Sequence, residues 1–439
     1  MKWQVVCKVG RSDGYDPTFR NAEPRLYVGF ERSGDPHSMR QDVLSGVAGA
    51  LGASPSATVV DLLYAAMSVY AADLCIPRQC ADDAWTRDIR LHLAVADVAT
   101  WQPVLPLLAE MLGFLSGDDW ELCVHSHSRY APPAARVPLL DDRPNAVALF
   151  SGGLDSLVGA IDLLAQGRRV EFVGQYGPDP LPREFQRRVW GGLPEELRKR
   201  GTRLAFHIQP PVIPGQYDKT MRCRSFLFLA LGLAVADALS ADCPLYVAEN
   251  GFISLNVPLT RARMGSLSTR TTHPHFIGLV RQVLDVLGIR HAVNLPYRFK
   301  TKREMLSEVS NTEALRDGAR LTMSCAHSSY NRFLGRSPKM HCGHCYPCIV
   351  RRAAMCSAGL PDADYVSDVL TETPDPGTET GRDIRAVGMA VRRSISLTDT
   401  RAMHDVLLNG PLPPEDIREY ARVYARGMQE LADFVTQRG

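Results

Sequence analysis

Two stretches of the chain hold residues whose types and spacing can do chemistry. The first is Ala146-Val-Ala-Leu-Phe-Ser-Gly-Gly-Leu-Asp-Ser156. An apolar run stops at Ser151-Gly152-Gly153, and a helical stretch opens near Asp155 and runs to Gln166. That pattern reads as a buried strand, a glycine turn and a helix N-terminus. Glycine tolerates positive φ and lets the backbone come close to a ligand. The free N–H groups at the helix start favour an anion, with the helix dipole adding to the effect. Ser151 and Ser156 add hydroxyl donors. Asp155 repels a phosphate unless a cation lies between, which points to Mg²⁺ bridging to phosphate oxygens. A Walker-type loop is excluded, because no Lys follows the glycines at the required spacing. A turn that needs glycine only for its backbone is the alternative. The full Ser-Gly-Gly-x-Asp-Ser pattern directly behind a strand favours a nucleotide site.

The second stretch is Cys342-Gly-His-Cys345-Tyr-Pro-Cys348, with Cys325 upstream after Thr322-Met-Ser. Two overlapping Cys-x-x-Cys pairs let thiolates converge on one ion across a tight turn. Four thiolates in a tetrahedron suit Zn²⁺ and leave no open position, so such a site is structural. His327, His341 and His344 are possible substitutes for one cysteine. A redox or sulfur-carrying pair is the competing chemistry. An iron–sulfur cluster also remains open, because thiolates alone do not fix the metal.

These features sit in a chain of 439 residues, long enough for two or three domains. Hydrophobic residues make up 45% and charged residues 22%, ordinary for a globular protein. A formal net charge of +2 gives no case for direct nucleic-acid or membrane binding. No apolar run reaches the roughly 18 residues that span a bilayer. The first residues hold no signal-peptide core, and eleven scattered cysteines fit a reduced, cytoplasmic setting.

The elements that must position the two stretches follow from periodicity. Residues 1–143 read as an accessory α+β domain with its own core. It has short strands at 1–9 and 26–30, a helix over 61–76, a half-buried alternating strand at 89–95, a helix over 101–114 and a strand at 120–124. Trp85, Arg87 and Asp88 read as structural. Residues 130–145 are rich in Pro and Asp and mark a linker. From 144 to 360 strands alternate with helices, which predicts a parallel sheet covered on both faces. Ligands of such sheets sit at the carboxyl ends of the strands, where the Ser-Gly-Gly turn falls. Residues 361–439 form a helical extension. Its last stretch carries Ile417, Tyr420, Tyr424, Met428, Leu431 and Phe434 on one stripe, expected to pack on the body.

The Ser151–Ser156 segment resembles the SGGxDS loop of the PP-loop ATP pyrophosphatases, which grips the pyrophosphate of ATP while a carboxylate attacks the α-phosphate. Loop and cysteines together resemble the QueC family, the 7-cyano-7-deazaguanine synthases. Gly174-Gln175 looks like that family's Tyr-Gly-Gln, and Arg224-Ser-Phe-Leu-Phe228-Leu like its Arg-Asn-x-x-Phe-Leu helix start. Glu249-Asn250 resembles its Ala-x-Asn stretch, and Thr301-Lys302-x-Glu304 its Thr/Ser-Lys-x-Glu helix start. Arg351 or Arg352 follows the last cysteine as in the family. The resemblance covers residues 146–357. The family's Tyr-Pro-Asp-Cys-Arg segment, which holds the deazaguanine, is not legible at 253–272. The N-terminal unit and tail look like the long QueC-like proteins, QatC type, of the bacterial Qat anti-phage defence system.

This resemblance implies ATP held by Phe150, Ser151, Gly152, Gly153, Leu154, Asp155, Ser156, Leu157 and Gln175. It implies catalysis by Asp155, Arg224 and Lys302, and substrate contacts by Arg224, Phe228, Glu249 and Asn250. Mg²⁺ would accompany ATP, and Zn²⁺ would sit on Cys325, Cys342, Cys345 and Cys348. The implied reaction adenylates a 7-deazaguanine carboxylate and passes the acyl group to an amine. That amine is ammonia in the plain enzymes and a partner protein's N-terminus in the defence relatives. Two rivals differ in class. A tRNA sulfur transferase needs a catalytic Cys and a basic patch, and a nucleotide-sensing scaffold needs neither.

Overall fold

The computed structural model of the chain describes residues 1–10, 13–17, 23–30, 38–127, 143–213, 215, 217–218, 221–260, 270–329, 331, 335–362, 364–372, 375 and 377–436. The expected linker at 130–145 lies mostly outside the described residues.

Ten strands form two sheets among the described residues: β1 (Lys2–Lys8), β2 (Arg25–Gly29), β3 (Arg40–Gln41), β4 (Asp88–Val95), β5 (Asp119–Ser126), β6 (Ala146–Leu149), β7 (Val170–Tyr176), β8 (Gly201–Gln209), β9 (Leu245–Tyr246) and β10 (Val293–Asn294). The first sheet has the order β2-β1-β4-β5 and is parallel throughout. The N-terminal unit is therefore α/β, not α+β. Strand β4 lies inside this sheet, so five consecutive residues, Leu91 to Val95, are buried. The half-buried alternation expected there is an edge-strand pattern, which a central parallel strand does not need.

The second sheet has the order β10-β9-β6-β7-β8-β3. Its strands are parallel except β3, which runs antiparallel to β8 and pairs Arg40 with Gln209. A strand from the first 143 residues thus completes the second sheet. The core is shared in the same way. Helices Ala57–Cys75 and Arg224–Leu239 pack against each other, and one continuous apolar cluster runs from Val5 and Leu91 to Val147, Val173 and Leu245. The separate core expected for the first unit is not observed.

Buried charge reinforces the joint. Arg87 is 1% exposed and pairs with Asp118 at 2.6 Å and with Asp73 at 2.8 Å. Asp73 also accepts the backbone N–H of Cys223, which lies just ahead of the second unit's helix. Arg87 is structural, as its sequence context implied.

Two helical stretches are long and apolar enough, by length and composition alone, to cross a membrane: Ala57–Cys75 and Val98–Ser116. Counting uninterrupted apolar runs missed them because Asp61 and Asp73 break the first. Within the fold that helix is 94% buried, and Asp61 accepts the Ala96 N–H at 2.8 Å. A helix apolar on every side is a core helix here. The second stretch is broken by a tight turn over Gln102–Val104.

The last helix, Ile417–Thr436, lies on the body as expected. Tyr420, Tyr424, Met428, Leu431 and Phe434 join Phe252, Leu255, Ile349, Val350 and Ala353 in a third apolar cluster.

Candidate functional site

Strand β6 ends at Leu149, and the N–H of the next residue, Phe150, donates to Val173 O at 2.8 Å. The chain then turns through Gly152, at φ 81°. A Cβ there would lie 2.8 Å from the Gln186 nitrogen, so both conformation and space require glycine. Gly152 O accepts the Met323 N–H at 3.0 Å, which ties the turn to the segment leading into Cys325. Gly153 caps helix Leu154–Ala165 without a side-chain bond. Ser151 Oγ accepts from Gly153 N at 3.2 Å, and Ser156 Oγ donates to Gly153 O at 2.9 Å. Phe150, Leu154 and Leu157 are at most 1% exposed. Their side chains anchor the turn in the core, so only their backbones face a ligand.

Asp155 lies in the first turn of that helix and is the hub of the site. Lys302 Nζ forms an ion pair with it, and the two side chains are 8% and 16% exposed. Asn250 Nδ2 donates to its other oxygen at 2.8 Å. Asn250 also caps the short helix Gly251–Leu255 by accepting from Ile253 N at 3.0 Å. Lys302 opens helix Lys302–Ser307, which is capped by Thr301 and Glu304 in a reciprocal box. The architecture explains the convergence. Strands β6, β9 and β10 are neighbours, and the segments after their carboxyl ends deliver Asp155, Asn250 and Lys302. This is the edge where parallel sheets bind ligands.

A second group stands past the carboxyl end of β7, the neighbour of β6 on the other side. Arg224 opens helix Arg224–Leu239, donates from Nη2 to Gln175 Oε1 at 3.0 Å and lies over the Phe228 ring at 5.0 Å. Its Nε is buried and has no hydrogen-bond partner among the described residues. Gln186, which the sequence did not single out, donates to Gln175 O at 3.1 Å and covers Gly174.

Glu249 precedes Asn250. It accepts from Thr272 Oγ1 at 2.6 Å, and that hydroxyl also bonds Ser254 Oγ at 2.8 Å. Burial pushes the Glu249 carboxyl up to about 7, and the neighbouring Asp155 charge adds to the rise. Burial does the same to Glu171 and Glu430, each raised to about 7. The folded chain therefore holds more protons than the unfolded chain between the ordinary 4.5 and about 7. Stability from these groups is complete below that window and is lost as pH rises through it. Buried His92, His273 and His341, held low by burial, act in the opposite sense, so the Glu249 contribution is read as a difference between two proteins. In chemical denaturation at pH 5 and pH 8, Glu249→Gln is expected to gain stability relative to the parent as pH rises, and an unchanged difference between the two proteins would remove Glu249 from the account.

The four cysteines form the second centre. The sulfurs of Cys325, Cys342, Cys345 and Cys348 all lie within 4.8 Å of one another, and Cys342 and Cys348 are 3.9 Å apart. A zinc tetrahedron with bonds of about 2.3 Å separates its sulfurs by about 3.8 Å. The donors fit that ion. Gly343, at φ 88°, makes the turn between the ligands, and a Cβ there would strike Ser367 O at 1.9 Å. Backbone N–H groups of His327 and Cys342 point at Cys325 Sγ, both at 3.3 Å. His327 and His344 flank Cys342 and form an alternative three-donor set with it. His341 takes another role: it is fully buried and accepts the Ser324 N–H at 3.2 Å. Arg351 is also fully buried, bonding Thr322 Oγ1, Ala319 O and Asp362.

A parallel α/β sheet with polar side chains gathered at its carboxyl edge, and a four-cysteine metal-type corner behind it, define the class of the protein. Over 256 residues the chain is 26% identical to a 7-cyano-7-deazaguanine synthase from Syntrophobacter fumaroxidans. The match takes in 99% of that protein and 52% of this chain, and it supports a relationship to the QueC-like synthases. No family model matches the chain, and no solved structure matches it.

Proposed function

We propose that the protein is an ATP-using enzyme of the QueC-like kind, which adenylates a 7-deazaguanine carboxylate and transfers the acyl group to an amine. The observation that carries this reading is the likeness to a 7-cyano-7-deazaguanine synthase along 99% of that enzyme's length. The site suits the chemistry. Backbone N–H groups at the start of helix Leu154–Ala165 receive the β- and γ-phosphates. Lys302 stands beside them with its position set by Asp155. Arg224 meets charge from the other side of the turn. Cations fixed in advance stabilise the charge that builds on the α-phosphoryl oxygens, and alignment supplies most of the remaining effect. Lys302 and Asn250 each engage one Asp155 oxygen, so a Mg²⁺ held by Asp155 would share it with them. In this reading Mg²⁺ arrives with the triphosphate. Zn²⁺ on the four thiolates is structural, because that donor set leaves no open position.

The acceptor in this reading is the N-terminal amine of a partner protein from the same defence operon. Ammonia, with later dehydration to a nitrile, is the second reading, and the relative's name favours it. ATP–pyrophosphate exchange with 7-carboxy-7-deazaguanine tests the shared first step. Exchange that depends on the acid is expected. Nucleotide binding without exchange, even with acid and amine present, would leave a nucleotide-sensing scaffold. Intact mass of a co-expressed neighbouring protein separates the two acceptors: a gain of one deazaguanine acyl group identifies the protein amine.

A further inference from the structure

One face of the C-terminal helix reaches the two segments that hold Asp155. Its residues are Val423, Arg426, Gly427 and Glu430, spaced i, i+3, i+4 and i+7 along a single stripe. Glu430 is 8% exposed and accepts from Thr301 Oγ1 at 2.5 Å. Arg426 pairs with Glu304 at 2.6 Å and donates to Phe299 O at 2.9 Å. Thr301 and Glu304 are the two halves of the cap on helix Lys302–Ser307. Both halves are therefore gripped by tail residues one helical turn apart. The Thr301 hydroxyl works in both directions, accepting from Glu304 N at 3.2 Å while donating its one proton to Glu430. Lys302 is the first residue after this cap, so the direction in which it leaves the backbone follows from the cap's placement.

The other half of the stripe seats the Asn250 helix. A Cβ on Gly427 would lie 2.3 Å from the Phe252 ring, and a Cβ on Gly251 would lie 3.3 Å from Val423. The tail backbone thus rests directly on helix Gly251–Leu255, whose cap is Asn250. Asp155 receives only two side-chain partners among the described residues, Lys302 and Asn250, and one helix face braces the segments carrying both.

We propose that helix Ile417–Thr436 is a positioning element of the site, which sets the Thr301–Glu304 cap through Glu430 and Arg426 and so holds Lys302 on Asp155. Glu430 and Arg426 are positioning residues and touch no reacting atom. Only the activity arm of the test rests on the adenylation reading. The full-length Glu430→Ala and Glu430→Gln variants are compared with the parent by amide hydrogen exchange and by ATP–pyrophosphate exchange. Glu430→Ala is expected to speed amide exchange in residues 300–307 about tenfold and to lower turnover about tenfold, with a much smaller change in the KM for ATP. Glu430→Gln keeps an acceptor for Thr301 and is expected to stay within about twofold of the parent in both. Unchanged protection of 300–307 in Glu430→Ala overturns the proposal, and so does equal damage by alanine and glutamine. Should the parent show no acid-dependent exchange, the adenylation reading fails and the amide arm still decides the role of the tail.

Discussion

Lys302→Met is expected to lower acid-dependent ATP–pyrophosphate exchange by about 100- to 1,000-fold, the loss typical of removing one prearranged charge donor from a reacting site. The same substitution leaves Asp155 without its cation. Both side chains are largely buried, at 8% and 16% exposure. Breaking such a pair from one side costs about 3–5 kcal/mol, mostly because the remaining charge stays buried. Lost activity could then reflect lost stability. The double variant Asp155→Asn, Lys302→Met separates the two. It removes both charges and lets the amide keep contact with Asn250. Its unfolding midpoint in urea should return most of the way to that of the parent, while exchange stays at the level of the single variant. If exchange returns together with stability, Lys302 is a structural ion-pair partner and the site's cation must be sought at Arg224.

The residues at this site were legible in the sequence to different depths, and the reason is distance along the chain. The Ser151–Ser156 turn is local: strand, glycines and helix start all lie within eleven residues, so periodicity and turn chemistry define it. The cysteines are nearly as local, apart from Cys325. Asn250 and Lys302 are singled out by the resemblance to the QueC family's motifs at the ends of later strand–helix connections. Nothing in their neighbourhoods says that both touch Asp155, because that contact depends on β9 and β10 standing beside β6. Strand order is not written in any local pattern.

The division into units failed for a related reason. The composition of 130–145 marks a linker, yet β3 pairs with β8 and helix Ala57–Cys75 packs on helix Arg224–Leu239. A two-residue strand has no readable alternation, and a helix that is apolar all round does not announce which neighbour it serves. The C-terminal stripe shows the opposite case. Tyr420, Tyr424, Met428, Leu431 and Phe434 read correctly as a packing face. The polar residues on the adjoining face, Arg426 and Glu430, carry no local signal of the Thr301 and Glu304 beneath them.

Cys348→Ser is the second substitution expected to have a large effect, and it acts on the fold before it acts on the chemistry. The parent should carry one zinc per chain and the variant none, by metal analysis of the purified protein. Cys345 caps helix Tyr346–Ser357, and Cys348 lies in its first turn. Ile349, Val350 and Ala353 of that helix pack on the tail helix. Metal loss therefore frees the start of one helix and loosens the seat of another. Structural zinc in small peptides supplies about 10–16 kcal/mol of apparent folding energy. Here packing shares the task, and a loss of about 4 kcal/mol or more is expected, in the range reserved for broken cores and lost metals. Cys356→Ser, an exposed cysteine in the same helix, is the control and should stay within about 0.5 kcal/mol. Because the tail braces Lys302, Cys348→Ser should also lower pyrophosphate exchange, and added zinc should not restore it. A parent protein with no bound metal and four titratable thiols in this corner would overturn the zinc assignment and return the cysteines to redox or sulfur-carrying chemistry.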